Sequence, residues 1–121
     1  MSVLCIHSTG TGPFMWDFLE VSGEKLTPAN VGYPPGEPLP RSQKVTIDDD
    51  VRTLVAGLPA SGTFDLVAHS YGGMIALKAL PQLAGRVRSI FLFEPVLFGA
   101  LPHDPDASPE AVRQVHEFFA H

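Results

Sequence analysis

The chain has 121 residues, enough for one domain with a buried core. Its formal net charge of −5, from 8 basic and 13 acidic residues with no basic stripe, argues against nucleic acid as a partner. Apolar residues make up 45% but run only in short stretches, so no membrane partner is expected, and a single cysteine rules out an internal disulfide. The opening "MSVLCIHSTG" has no basic n-region, so a signal peptide is not expected, and a cytoplasmic, reducing location fits. Cys5 lies in an apolar run and reads as an inert buried thiol.

The run over 3–6 reads as a strand buried on both faces. After the turn "HSTGTGP", residues Phe14, Phe18 and Val21 at helical spacing, with Trp16 and Leu19 beside them, predict a short amphipathic helix over "FMWDFLEV". A weaker strand is expected over 25–27, stopped by Pro28, and four prolines then stiffen the loop "YPPGEPLPRSQK". Thr46 is placed to cap a helix through "TIDDDVRTLVAGL", whose three first-turn aspartates favour the helix dipole. Ile47, Val51, Leu54, Val55 and Leu58 form its apolar stripe, and Gly57 and Pro59 end it. A third strand is expected over 63–68, a helix over 71–80 stopped near Pro81, and a fourth strand over 88–94. Past an irregular exit, Ser108 caps a last helix with Pro109 at its first position.

Strands and helices alternate, which argues for an α/β fold: a parallel sheet of about four strands with helices on both faces. Crossovers should be right-handed; if the first strand lies between the second and third, the order is 2-1-3-4, which periodicity alone does not fix. The switch point then lies between the first and third strands, and "HSTG" and "AHSYGG" leave their carboxyl ends.

"DLVAHSYGG" puts Ser70 on a sharp strand-to-helix corner. Such a turn needs small neighbours, and Ala68 and Gly72 are small. The serine hydroxyl then projects at a helix start, where N–H groups favour developing negative charge, as an acyl-transfer nucleophile requires. The strand-before, helix-after context is the one this motif demands.

In these segments the chain resembles the α/β-hydrolase superfamily in its esterase-like form. "AHSYGG" is similar to the nucleophile elbow, "VLCIHSTGTGPFMWDFL" to the first-motif region, "LTPANVGYPPG" to the segment after the next strand, and "RVRSIFLFEPVLFGAL" to the strand and exit beyond the elbow helix. The resemblance implies Ser70 as nucleophile and the backbone N–H groups of Thr9 and Tyr71 as oxyanion donors. It implies structural roles for His7 and His69, and close helix packing at Gly72 and Gly73. Ala68 stands where the elbow usually has glycine. Ser8 replaces a glycine of the first motif, and a side chain there is expected to narrow the oxyanion loop.

The family's later triad acid and histidine have no counterpart here, so the chain looks like the N-terminal half of a hydrolase. Residues 1–100 would form a partial core, and 101–121 the start of a lid or C-terminal helix. Glu94, at the end of the fourth strand, is the candidate acid, against the simpler reading of "EP" as a strand exit. His103, His116 and His121 are the candidate bases, able to swing toward Ser70 or to reach it from a second copy, against the simpler reading of solvated surface groups.

Other features have simpler explanations. The aspartates 48–50 diverge around a helix rather than converge on a metal, and "HDPDASPE" reads as a turn leading to a cap, so no metal or cofactor is expected. Trp16 and its neighbouring phenylalanines read as core, and "GTG" lacks a phosphate-loop spacing. Phe91, Phe93, Val96, Leu97, Phe98 and Leu101 would leave the fourth strand as a bare apolar edge that invites pairing. The sequence therefore points to a serine hydrolase of esterase type, acting on a small-molecule ester or related acyl substrate. The alternative is a non-catalytic half-domain that self-associates, as a homo-oligomer, or binds a ligand. A flavodoxin-like binding domain shares the strand order but would need a phosphate loop.

Overall fold

A computed structural model describes residues 2–40, 42–96 and 103–120. Four parallel strands, β1 (Ser2–Ile6), β2 (Glu24–Leu26), β3 (Phe64–His69) and β4 (Val87–Phe93), form one sheet in the order β2-β1-β3-β4. This is the expected 2-1-3-4 order. Register pairs Ile6 with Ala68 and His69 with Phe93, so β1, β3 and β4 end side by side. The helices are α1 (Ile47–Ala56), α2 (Tyr71–Leu83) and α3 (Pro109–Ala120).

Alternation along the strands decides what each face carries. Leu4 and Ile6 of β1 and Phe64, Leu66 and Ala68 of β3 turn to one face, where Val51 and Leu54 of α1 and Ile75 and Ala79 of α2 complete the core. The predicted α1 stripe is the buried one. Thr46 caps it through a reciprocal box with Asp49: its side chain accepts the Asp49 N–H at 3.2 Å, and its own N–H donates to the Asp49 carboxylate at 2.9 Å.

The opposite face carries Cys5 and Lys25. Lys25 Nζ donates to the carbonyls of Trp16 (2.7 Å) and Leu19 (2.9 Å), which fixes a single 3-10 turn, Pro13–Trp16, on that side. The amphipathic helix expected over "FMWDFLEV" is thus reduced to one turn. Its bonds are i→i+3, from Asp17 N–H to Phe14 and from Leu19 N–H to Trp16, and Lys25 takes up the carbonyls at its end. Trp16 is buried, as expected of a core residue, but Phe14 and Phe18 are exposed.

Two further boundaries differ. α2 runs through Pro81 to Leu83. The N–H that proline lacks would have faced the Leu77 carbonyl, and Leu77 is exposed, so water can satisfy it while Leu83 stays buried. β4 ends at Phe93, which leaves Glu94 just outside the strand at φ 46°. Ser108 caps α3 by accepting the Ala111 N–H at 3.1 Å. Among the described residues α3 packs on no other element. Leu97, Phe98, Leu101 and His121 lie outside the described residues.

Candidate active site

Ser70 sits between β3 and α2 at φ 52° and ψ −119°, a left-handed conformation for a residue with a Cβ. Such a conformation costs on the order of 1–3 kcal/mol and persists only where the surroundings over-determine it. Here they do. The Ser70 N–H donates to the Phe93 carbonyl at 3.1 Å, and the Ser70 carbonyl accepts the N–H groups of Gly73 (2.9 Å) and Val96 (3.1 Å). The corner is therefore clamped to the end of β4.

Two glycines clamp it on the other side. A Cβ on Gly72 would lie 2.4 Å from the Ile6 carbonyl oxygen and 2.8 Å from that of His7. A Cβ on Gly73 would lie 2.7 Å from Pro95 Cβ. The first turn of α2 is thus wedged between the ends of β1 and β4. The half-buried Ser70 side chain makes no cap bond, and its hydroxyl has no hydrogen-bond partner among the described residues. His69 instead stacks on Phe93, with ring centroids 5.2 Å apart.

The loop after β1 faces this corner. His7 is buried; its Nδ1–H donates to the Ser8 carbonyl at 2.8 Å and its Nε2 accepts the Asn30 N–H at 2.9 Å. These partners define a neutral ring protonated on Nδ1. Burial pulls the His7 pKa below its ordinary value, against the opposing pull of the Ser8 carbonyl and of Asp50.

The Ser8 carbonyl also accepts the Thr11 hydroxyl at 2.8 Å. Peptides are planar, and the Ser8–Thr9 bond is trans, so the Thr9 N–H points the opposite way, away from His7 and Thr11. Neither that N–H nor the Tyr71 N–H has a partner among the described residues. The Ser8 side chain, expected to narrow the loop, is instead buried, with its hydroxyl 3.0 Å from Thr11 Oγ1 and both facing Met15 Sδ. Gly10, at φ 78°, donates its N–H to the Tyr33 hydroxyl at 2.8 Å.

The Tyr71 hydroxyl donates to Asp50 Oδ2 at 2.6 Å, and Asp50 Oδ1 accepts the Val31 N–H at 2.9 Å. Burial first, and the Asp50 carboxylate second, push the Tyr71 phenol well above its ordinary pKa. In the sequence Asp50 reads only as one of three aspartates facing the helix dipole, and Asn30 and Tyr33 belong to no site expected there. A signal existed for Asp50: it lies three residues after Ile47 and four before Leu54, on the buried stripe itself.

Ser70, Tyr71 and the Thr9 loop are thus brought to one end of the sheet. Glu94 is exposed one residue beyond Phe93, and His103 and His116 are exposed on and before α3. No hydrogen bond or ring contact joins any of these three to Ser70 among the described residues. Among those residues, too, no three His, Cys, Asp or Glu side chains converge as metal ligands, and no helix is long and apolar enough to cross a membrane.

The family model described as the alpha/beta hydrolase family matches residues 3–121, and the chain belongs to that family. No curated protein matches it. Among solved structures it is similar to an extracellular alpha/beta-hydrolase from a Paenibacillus species, at 20% identity and TM-score 0.67, over 78% of this chain and 40% of that one. A haloalkane dehalogenase from Agrobacterium tumefaciens C58 aligns at 23% identity and TM-score 0.67, over 99% of this chain and 47% of its own. Polyneuridine aldehyde esterase aligns at 16% identity and TM-score 0.66, over 78% and 40%. At these identities the likeness is one of fold. The chain spans 40% to 47% of the length of these structures.

Proposed function

We propose that this chain carries the nucleophilic half of a serine hydrolase, with residues 1–100 as its core, acting on a small-molecule ester or related acyl substrate. The observation that carries the reading is the backbone of Ser70: a strained φ of 52°, held from both sides, with an uncommitted hydroxyl. Its Oγ attacks the acyl carbonyl, and the negative charge that forms on the carbonyl oxygen is held by the N–H groups of Thr9 and Tyr71. Collapse expels the alcohol and leaves an acyl-serine, which water then hydrolyses. A base must take the Ser70 proton. No histidine is hydrogen-bonded to Ser70 among the described residues, so that base, and the acid that orients it, are supplied from outside the elbow. Glu94 is the acid candidate within this chain.

The test treats the folded chain and Ser70→Ala with a fluorophosphonate, read by intact mass, with imidazole added to stand in for the external base. The expected result is one probe per wild-type chain, none on the variant, and no sustained ester turnover by the chain alone. Equal labelling of both, or none of either, would remove Ser70 as nucleophile. Sustained turnover lost in Ser70→Ala would mean that one of the chain's own histidines reaches the serine.

A second reading, a non-catalytic module that self-associates, draws on one observation. Phe91 and Phe93 of β4 are 64% and 53% exposed, and β4 pairs only with β3 among the described residues. Sedimentation velocity over a range of concentrations tests it.

A further inference from the structure

Asp50 is only 5% exposed, yet it carries a carboxylate that has no cationic partner among the described residues. A buried charge in that position is costly unless its oxygens are satisfied. The first turn of α1, whose free N–H groups favour an anion, offsets part of the cost. Its two hydrogen bonds satisfy both oxygens, and they lead to the two segments that flank the Ser70 corner.

Through Oδ2, Asp50 holds the phenol of Tyr71, the residue whose N–H begins α2. Through Oδ1 it holds the N–H of Val31. Val31 belongs to the 30–33 segment, and that segment holds the loop after β1. The Asn30 N–H and side-chain amide donate to His7 Nε2 (2.9 Å) and to the His7 carbonyl (3.2 Å). The Tyr33 hydroxyl accepts the Gly10 N–H at 2.8 Å, and its ring meets His7 edge-on at 4.8 Å. One carboxylate is therefore common to two chains of contacts, one ending at the Tyr71 amide and the other at the amides of the 7–10 loop.

We propose that Asp50 is a positioning residue that sets the spacing between the Tyr71 N–H and the amides of the Thr9–Gly10 loop. The proposal deepens the hydrolase reading and rests on it for its catalytic meaning. Two donors serve one oxyanion only when both lie at hydrogen-bond distance from the same point, so a small change in their separation weakens both at once. Asp50 touches no reacting atom; it acts through Tyr71 and Val31.

The test uses the whole chain as wild type, Asp50→Asn, Tyr71→Phe, the double variant, and Asp48→Asn as an exposed control. Asparagine keeps the shape but accepts at only one of its two positions. Phenylalanine removes one hydroxyl and leaves the Tyr71 backbone N–H in place. First, fluorophosphonate labelling rates of Ser70 are compared. Asp50→Asn and Tyr71→Phe are expected to slow labelling on the order of tenfold or more, as misplaced groups do. The double variant should be slowed by less than the product of the two single effects, since the Tyr71 hydroxyl acts through Asp50. Unchanged rates in folded variants, with the wild type reactive, would overturn the proposal.

Second, the backbone amide resonances of ¹⁵N-labelled protein are compared in the same variants. This readout does not depend on Ser70 being reactive. Movement of the Thr9 and Gly10 amides in both Asp50→Asn and Tyr71→Phe supports the coupling, because neither residue is hydrogen-bonded to the altered groups. Shifts confined to the neighbours of positions 31, 50 and 71 overturn it. A wild type that does not label defeats the nucleophile reading alone, and the amide shifts then decide the role of Asp50.

Discussion

His7 shows how one buried ring can hold a loop and also record pH. Its two nitrogens are committed to the Ser8 carbonyl and the Asn30 N–H, an arrangement that only the neutral ring can make. Burial lowers its pKa in the folded chain from the ordinary 6.5. The unfolded chain therefore binds the proton more readily, so the contribution is complete above about 6.5 and is lost as pH falls through the lowered folded value. Urea midpoints of the wild type are expected to fall on acidification from pH 7.5 to 5. His7→Asn should be less stable at neutral pH but should lose less on the same descent. Equal losses in both proteins would show that the ring is not the group responsible. Only the family resemblance implied a structural role for His7; its tautomer follows from the approach of Asn30, 23 positions away.

At the scale of elements, the fit of α2 against the sheet depends on missing side chains. Gly72 meets the backbone oxygens of β1, which cannot swing aside as a flexible side chain would. Gly72→Ala is expected to destabilise the chain by about 2–3 kcal/mol, the usual cost of overpacking a rigid contact. A urea midpoint indistinguishable from wild type would mean that the end of β1 yields more easily than its geometry suggests. The same scale separates the elements that local pattern predicted well from those it missed. α1 followed its stripe and its cap because both signals are local and agree with each other. The helix expected around Trp16 did not form beyond one turn, because Lys25 of a different element takes up the carbonyls that would have continued it. The stop expected at Pro81 was passed because burial of Leu83 outweighs one lost bond near a helix end.

For the whole molecule, the two sides of the sheet are unequal. One side is covered by α1 and α2; the other carries a single 3-10 turn near β1, and Phe91 and Phe93 of β4 stay exposed there. On the self-association reading, this surface would draw copies together. Replacing Phe91 and Phe93 by lysine should then shift the sedimentation coefficient toward that of a monomer, since charge on an open strand opposes pairing. A wild type that is monomeric at every concentration would end that reading and leave the hydrolase one. The alternation of strands and helices and the corner at Ser70 were determined by the sequence itself, because apolar runs and small residues around a turn are short-range constraints; the order 2-1-3-4 was only favoured by the two loops that converge at the switch point, and the pairing of the strands decided it. What only the tertiary structure decided is the linkage around the elbow: Asp50 to Tyr71 and Val31, Asn30 to His7, Tyr33 to Gly10. These partners are 19 to 23 positions apart along the chain, so their meeting depends on how the strands cross over, and no local pattern carries that information.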